Sequence, residues 1–202
     1  MSYINKANVQ NYLMININAS FDTQISDWGE AAESFINNYC NRVSFEQESE
    51  TEKYYDGNGT RELLVDDILT ITKIEMLDDD GNVNYTLDDS TEYYLYPSNK
   101  TPKTSIIINT SNAPMSIFLR GYQNIKVTGT FGYAVNAPKD IVLAATRIVA
   151  QIISDKNLDI AGNIKSEKLG EYSVTFTDVD KIADKLDIKK DILDRYRKIS
   201  VI

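Results

Sequence analysis

Three acidic or glycine-rich clusters are the places in this 202-residue chain where residue types and spacing could do chemistry. Asp78-Asp79-Asp80-Gly81-Asn82 has the oxygen density of a calcium loop. Setting Gly81 at the sixth position of an EF-hand, however, puts Met76 first and Leu87 twelfth, where oxygen ligands are required. A solvated hairpin turn fits better. Asp56-Gly57-Asn58-Gly59-Thr60 is rich enough in glycine for a phosphate cradle. It lacks the Gly-Lys-Thr/Ser ending that brings charge to a nucleotide, and it leads into a strand where a phosphate loop opens a helix. Asp66-Asp67 and Asp88-Asp89 would serve glycoside hydrolysis only if folding set two carboxyl groups about 5–10 Å apart. Paired acids in strand connections are more simply read as solvated edges.

The chain has no histidine and one cysteine, Cys40. Zinc sites and Ser-His-Asp or Cys-His catalysis are therefore excluded on inventory, and neither a cofactor nor a metal is expected. The formal charge of −9 disfavours ordinary DNA binding, which sets lysine and arginine against phosphates. An acidic wall around a DNA path is another matter, because passing phosphates do not stick to it. No run approaches the roughly 18 apolar residues that span a bilayer. Met1-Ser2-Tyr3-Ile4-Asn5-Lys6 lacks the regions of a signal peptide, so the expected protein is made and kept in a cytoplasm, with no membrane partner. On that reading the glycosylation patterns at Asn58 and Asn109 are chance.

An apolar content of 42% is enough for a real core. The amino-terminal third reads as helical: Asn5 or Asn8 caps a short helix through about Met14, with Val9, Tyr12 and Leu13 on one face. Ser20 then caps a core helix from about 22 to 42, in which Phe21, Ile25, Trp28, Ala32, Phe35, Ile36, Tyr39 and Val43 recur at three- and four-residue steps. The aromatic stripe reads as core, and Cys40 beside it as a small buried filler. From about 46 to 135 the period becomes two, and about six strands are expected. They include the strand-like runs on both sides of the Asp56–Gly59 turn, the longer Ile68–Leu77, a hairpin about Asp80-Gly81-Asn82, Glu92–Tyr96, Ser105–Asn109, Ser116–Leu119 and Asn124–Phe131.

Helices return with Pro138 at a first helical position, Asp140 complementing the dipole, and Ile141, Ala144, Ala145, Ile148, Val149, Ile152 and Ile153 on one wide apolar face. Glu171–Phe176 alternates like an extended segment. Asp178 and Asp187 read as caps of a short helix to about Leu186 and of a last one, about 188 to 198, with Ile192, Leu193, Tyr196 and Ile199 inward. Aspartates interleave with the lysines and arginines of this end at spacings that allow ion pairs. The expected fold class is α+β: a helical core of about four to five helices, residues 1–45 and 136–202, with a β-rich insertion, residues 46–135, between the second and third main helices.

Five pieces in that order resemble the head-tail connector (adaptor) proteins of long-tailed double-stranded DNA phages. They are Tyr55-Asp56-Gly57-Asn58-Gly59 before Leu63-Leu64-Val65; Asn124–Thr128 with Gly132-Tyr133; Pro138-Lys139-Asp140-Ile141 with Ala144; Gly170–Val174; and Leu193-Asp194-Arg195-Tyr196-Arg197. The resemblance spans about residues 8 to 198. It implies a non-enzymatic virion protein of the neck, made in the host bacterial cytoplasm. Twelve copies would ring beneath the portal protein, carry the DNA channel onward without binding DNA specifically, and join a downstream neck or tail protein. By the same resemblance Ile199, Val201 and Ile202 are candidates for portal contact. The acid-base face of the last helix makes Lys189, Asp191, Arg195 and Arg197 candidates for contact between copies. The long β-rich insertion departs from the smaller, mainly helical members. Two other readings stay open: a tail-completion or baseplate protein, and a carbohydrate-binding module, in which Tyr93-Tyr94-Leu95-Tyr96 would stack on sugars.

Overall fold

Helix formation at the amino terminus is fixed by a reciprocal cap. Asn5 Oδ1 accepts the Asn8 N–H at 3.1 Å, and Asn8 Oδ1 accepts the Asn5 N–H at 2.9 Å, so two otherwise orphaned donors are satisfied at the start of α1 (Lys6–Leu13). The computed structural model describes residues 3–88, 91–155 and 176–198. Its chain divides into two compact units, residues 1–42 with 137–202, and residues 43–136.

In the first unit α2 (Asp22–Tyr39) buries Ile25, Trp28, Ala32, Phe35 and Ile36. Its entry differs from the expected one. Asn18, rather than Ser20, is the capping side chain, accepting the Ser20 N–H at 3.0 Å above a single 3-10 turn, and Phe21 stands at the helix start without a side-chain cap. The helix also ends at Tyr39, so Val43 lies beyond it and is exposed, as is Tyr12 of α1. α3 (Lys139–Asp155) buries all seven expected apolar residues and Thr146, whose hydroxyl donates to the Val142 carbonyl at 2.7 Å. Pro138 stands one residue before it and accepts its first turn's bond from Val142. α3 packs against both α1 and α2. α4 (Phe176–Lys185) contributes Val179, Ile182 and Ala183 to the core, and α5 (Ile188–Asp191) contributes Ile188. Of the expected extended segment, residues 171–175 lie outside the described residues, and Phe176 already opens α4.

The last helix is far shorter than the expected 188–198. After Asp191 the backbone of Ile192 leaves helical values (φ −120°), and a 3-10 turn, Leu193–Arg195, follows. Tertiary bonds redirect the chain there. The Lys198 N–H donates to the Cys40 carbonyl at 2.8 Å, Arg42 Nε donates to the Tyr196 carbonyl at 2.7 Å, and the Tyr196 hydroxyl reaches both Asp140 carboxylate oxygens at 2.8 Å. The end of α2, the start of α3 and the chain's last described residues are thus sewn together.

The second unit is a six-stranded antiparallel sheet: β1 (Thr51–Gly57), β2 (Glu62–Leu77), β3 (Val83–Thr86), β4 (Tyr93–Tyr96), β5 (Lys103–Ile108) and β6 (Gly121–Phe131). The spatial order is β1-β6-β2-β5-β4, with β3 also on β2. Two runs that read as separate strands in sequence are one 16-residue strand, β2, whose pairing is interrupted at several register shifts. Its first half pairs with β5 and its second with β6 and β3. Such irregularities bend a strand and increase its twist, so a single β2 serves both halves of the sheet. Leu63, Ile68, Ile74, Ile106, Ile125 and Phe131 form the centre of the core. Ser116–Leu119 is not a strand. Phe118 is fully buried there and bonds through both its N–H, to the Thr60 carbonyl, and its carbonyl, from the Gly59 N–H.

One carboxylate on the polar face of β2 is also buried. Glu75, 3% exposed, lies opposite Lys126 of β6, whose ammonium reaches it at 2.7 Å, while Lys73 reaches its other oxygen at 2.5 Å. Hydrogen bonds from Lys126 and Lys73 hold the Glu75 carboxyl below the usual carboxylate range, and bonding to Glu75 raises Lys126 in turn.

Two outcomes are expected. Ile148→Ala, at a fully buried site, should destabilise the protein by about 2–5 kcal/mol in urea unfolding, whereas Leu143→Ala on the exposed side of the same helix should stay within about 0.5 kcal/mol. Because the folded pKa of Glu75 is depressed, its contribution is complete above its unfolded value of about 4.3 and is lost as pH falls through the folded one. The stability gap between wild type and Glu75→Gln should therefore be constant near neutrality and close below about pH 4.3 in acid titrations followed by circular dichroism.

Candidate functional site

Each cluster that could do chemistry is occupied by the protein's own hydrogen bonds. In the acidic turn, Asp78 Oδ1 accepts the N–H groups of Asp80 at 3.0 Å and Asn82 at 2.8 Å, and Gly81 takes φ 82°. The bond from Asn82, the largest cause, lowers the Asp78 pKa. The carboxylate closes a hairpin between β2 and β3, as a solvated turn requires. Among the described residues no group of three or more Cys, Asp or Glu is arranged to hold a metal ion.

The glycine-rich turn is closed in the same way. The Gly57 N–H donates to Asn124 Oδ1 at 2.8 Å, the Gly59 N–H to the Phe118 carbonyl at 2.8 Å, and the Thr60 N–H to Asn58 Oδ1 at 2.9 Å. The donors a phosphate would need are already spent. A side chain at Gly57 would stand 1.8 Å from the Leu119 carbonyl, so glycine is required by close approach of the 117–124 segment. The turn is therefore a buttress for that segment. Of the acidic pairs, Asp66 meets Lys53 at 3.1 Å, Asp67 is 5% exposed on the same strand, and Glu92 accepts the Asp88 N–H; Asp89 lies outside the described residues.

What the structure gathers instead is a charged, aromatic corner at the carboxyl end of the helical unit. Lys189 reaches Asp180 at 2.7 Å and Asp184 at 3.0 Å and sits 5.7 and 5.6 Å from the ring centres of Phe35 and Tyr39, which stack on each other. Burial works to lower its pKa, but the two carboxylates outweigh it and raise it. The ion pairs of this end run between helices rather than along one. Tyr39 donates to Asp194 at 2.7 Å, a bond that raises the phenol's pKa, and Arg197 lies 5.5 Å from the same ring. Arg195 donates to the Asp191 carbonyl. Lys189 is thus half-buried within its own unit, while Asp191, Arg195 and Arg197 are exposed. Cys40 is fully buried, bonds to the Leu193 carbonyl at 3.6 Å, and its thiol is pushed up to about 12 by burial. Ile199, Val201 and Ile202 lie outside the described residues.

The tyrosine run divides by parity: Tyr93 is buried in the sheet's core, and Tyr94 and Tyr96 are exposed on the other face. Leu64 joins them there, a residue that sequence reasoning assigned no role. The signal was available in Glu62-Leu63-Leu64-Val65, where alternation alone calls for a polar residue at 64. No helix among the described residues is long and apolar enough to cross a membrane.

No curated protein sequence matches the chain. Solved structures do. The fold is similar to chains in the neck of an empty GTA particle computed with C6 symmetry (TM-score 0.58, 11% identity, 97% of this chain and 90% of that one). It is also similar to chains in the neck of the native GTA particle computed with C12 symmetry (0.52, 11%, 97% and 89%) and in the virion of the native gene transfer agent particle (0.53, 12%, 97% and 90%). At these identities the likeness concerns the fold. The family is given by sequence: the model for the head completion protein family matches residues 2–199, nearly the whole chain, and the chain belongs to that family of head-tail connectors.

Proposed function

We propose that the protein is a structural subunit of the particle neck, a connector without enzymatic activity that forms a ring of twelve copies beneath the portal, extends the DNA channel and joins capsid to tail. The observation that carries this reading is the family match over residues 2–199. The neck particles to which the similar folds belong support the location, and the C12 symmetry of one of them supports the copy number. The inventory is consistent with it: no histidine, and potential phosphate and calcium turns filled by their own hydrogen bonds. An overall charge of −9 suits a channel wall past which DNA slides without specific binding.

In this reading the carboxyl-terminal residues Ile199, Val201 and Ile202 dock on the portal, and Asp191, Arg195 and Arg197, with Lys189 behind them, contribute to contact between copies. Lys189 acts by holding α4 and α5 together, since both its carboxylate partners lie in its own chain. Subunits of the same negative sign assemble only where opposite charges are brought face to face, so ring formation should depend on ionic strength.

Co-expression with the particle's portal, followed by electron microscopy, tests the proposal. Rings on the portal are expected from the wild-type chain, with none from a chain lacking residues 199–202. The double substitution Arg195→Glu, Arg197→Glu should lower ring yield on the order of tenfold, as loss of a few central contacts does elsewhere. Folded wild-type protein that forms no ring on a folded portal would overturn the reading.

A further inference from the structure

The outer face of the β2-β5-β4 corner is apolar where an antiparallel sheet facing water should be polar. Register sets Glu62, Ile107 and Tyr94 side by side, and Leu64, Ser105 and Tyr96 in the next row on the same face. Leu64 is 58% exposed, Tyr94 53% and Tyr96 55%, while the opposite face, with Leu63, Ile106 and Ile108, is core. Ser105 is only 1% exposed between its row neighbours, and its Oγ has no hydrogen-bond partner among the described residues. Large apolar side chains gathered on one corner, rather than scattered singly, mark a surface that a partner covers.

Charge selects the partner. Residues 43–136 contain 15 acidic and 7 basic side chains, a net −8, so almost all of the chain's −9 resides in the β-rich unit. The remainder contains 15 acidic and 14 basic side chains, a net −1. Two β-rich units placed together would repel, which disfavours a symmetric contact of this patch with itself. A closed ring needs the other kind of contact, in which one patch meets a different patch of the next copy. The chain holds a counterpart free of that repulsion: at the carboxyl end of the helical unit Lys181, Lys190 and Arg195 are exposed among the equally exposed Asp184, Asp187, Asp191 and Asp194.

We propose that the Leu64-Tyr94-Tyr96 face, with Glu62 at its rim, docks on the carboxyl-terminal helical corner of a second copy, around Lys190 and Arg195, and so forms the subunit-to-subunit contact of the ring. The inference rests on the ring reading above and gives the β-rich insertion its place in it. Apolar contact supplies the affinity of this interface, and pairing of the acidic rim with the Lys190 and Arg195 side chains of a mixed-charge corner supplies its direction around the ring.

Cys40 makes the test clean, because the chain's single native thiol is fully buried. Full-length Tyr94→Cys and Lys190→Cys chains, one carrying a larger tag, are mixed with portal and treated with a short bis-maleimide. A portal-dependent product containing one chain of each size is the expected result. The double variant Tyr94→Ser, Tyr96→Ser, checked for an unchanged melting temperature, should lose ring yield on the order of tenfold. Rings that form on the portal without the mixed product, or with wild-type yield from the tyrosine variant, overturn this inference and leave the neck role standing. Binding of a glycan array that disappears in Tyr94→Ala assigns the face to sugar instead and overturns it as well. Absence of rings from wild-type protein overturns both readings.

Discussion

The ends of the inserted β-rich unit are bound to each other, which closes the long excursion of the chain between α2 and α3. The Ser44 carbonyl accepts the Tyr133 N–H at 3.0 Å, the Phe131 carbonyl accepts the Glu48 N–H at 2.8 Å, and the Phe45 and Tyr133 rings lie 5.6 Å apart. Gly132 makes the approach possible: it takes φ 132°, and a side chain there would stand 2.4 Å from the Glu46 carbonyl. α2 and α3 pack on each other although residues 43–136 separate them in sequence. Were that segment a flexible loop, closing it would cost on the order of 4 kcal/mol in chain entropy. A folded insert lowers that cost, because its own bonds already bring residues 44–48 beside residues 131–133.

The helical unit is closed by an equivalent device at its other end. Hydrogen bonds between residues 196–198 and Cys40, Arg42 and Asp140 join segments far apart in sequence. They leave a charged corner of modest net charge, whereas the insert carries the bulk of the negative charge. A subunit of this kind has two chemically different surfaces within one chain, which is what a directional, closed assembly of identical copies requires.

Local signals carried much of this structure. The wide apolar face of α3 and the tight turns at Asp56–Gly59 and Asp80–Asn82 are legible because periodicity and turn chemistry act over a few residues. The misreadings share a cause. The final helix stops after Asp191 because Tyr196 and Lys198 answer to Asp140 and Cys40, and no local pattern encodes partners so distant. Phe118 has the apolar character of a strand residue, yet its backbone is taken by Gly59 and Thr60. The Glu75-Lys126 pair was equally hidden, since each residue looks like an ordinary polar strand position until register sets them opposite. As for function, the residues said what the chain lacks; order and wording of the motifs said what it resembles.

Trp28 is the chain's single tryptophan and is 1% exposed inside the helical unit. Its emission is therefore a one-unit optical reporter. Tryptophan fluorescence follows the water exposure of the helical unit alone, while the β-rich unit, which has tyrosine and no tryptophan, is silent at that wavelength. The protein carries within its own sequence a means of telling whether its two units lose their structure together or one at a time.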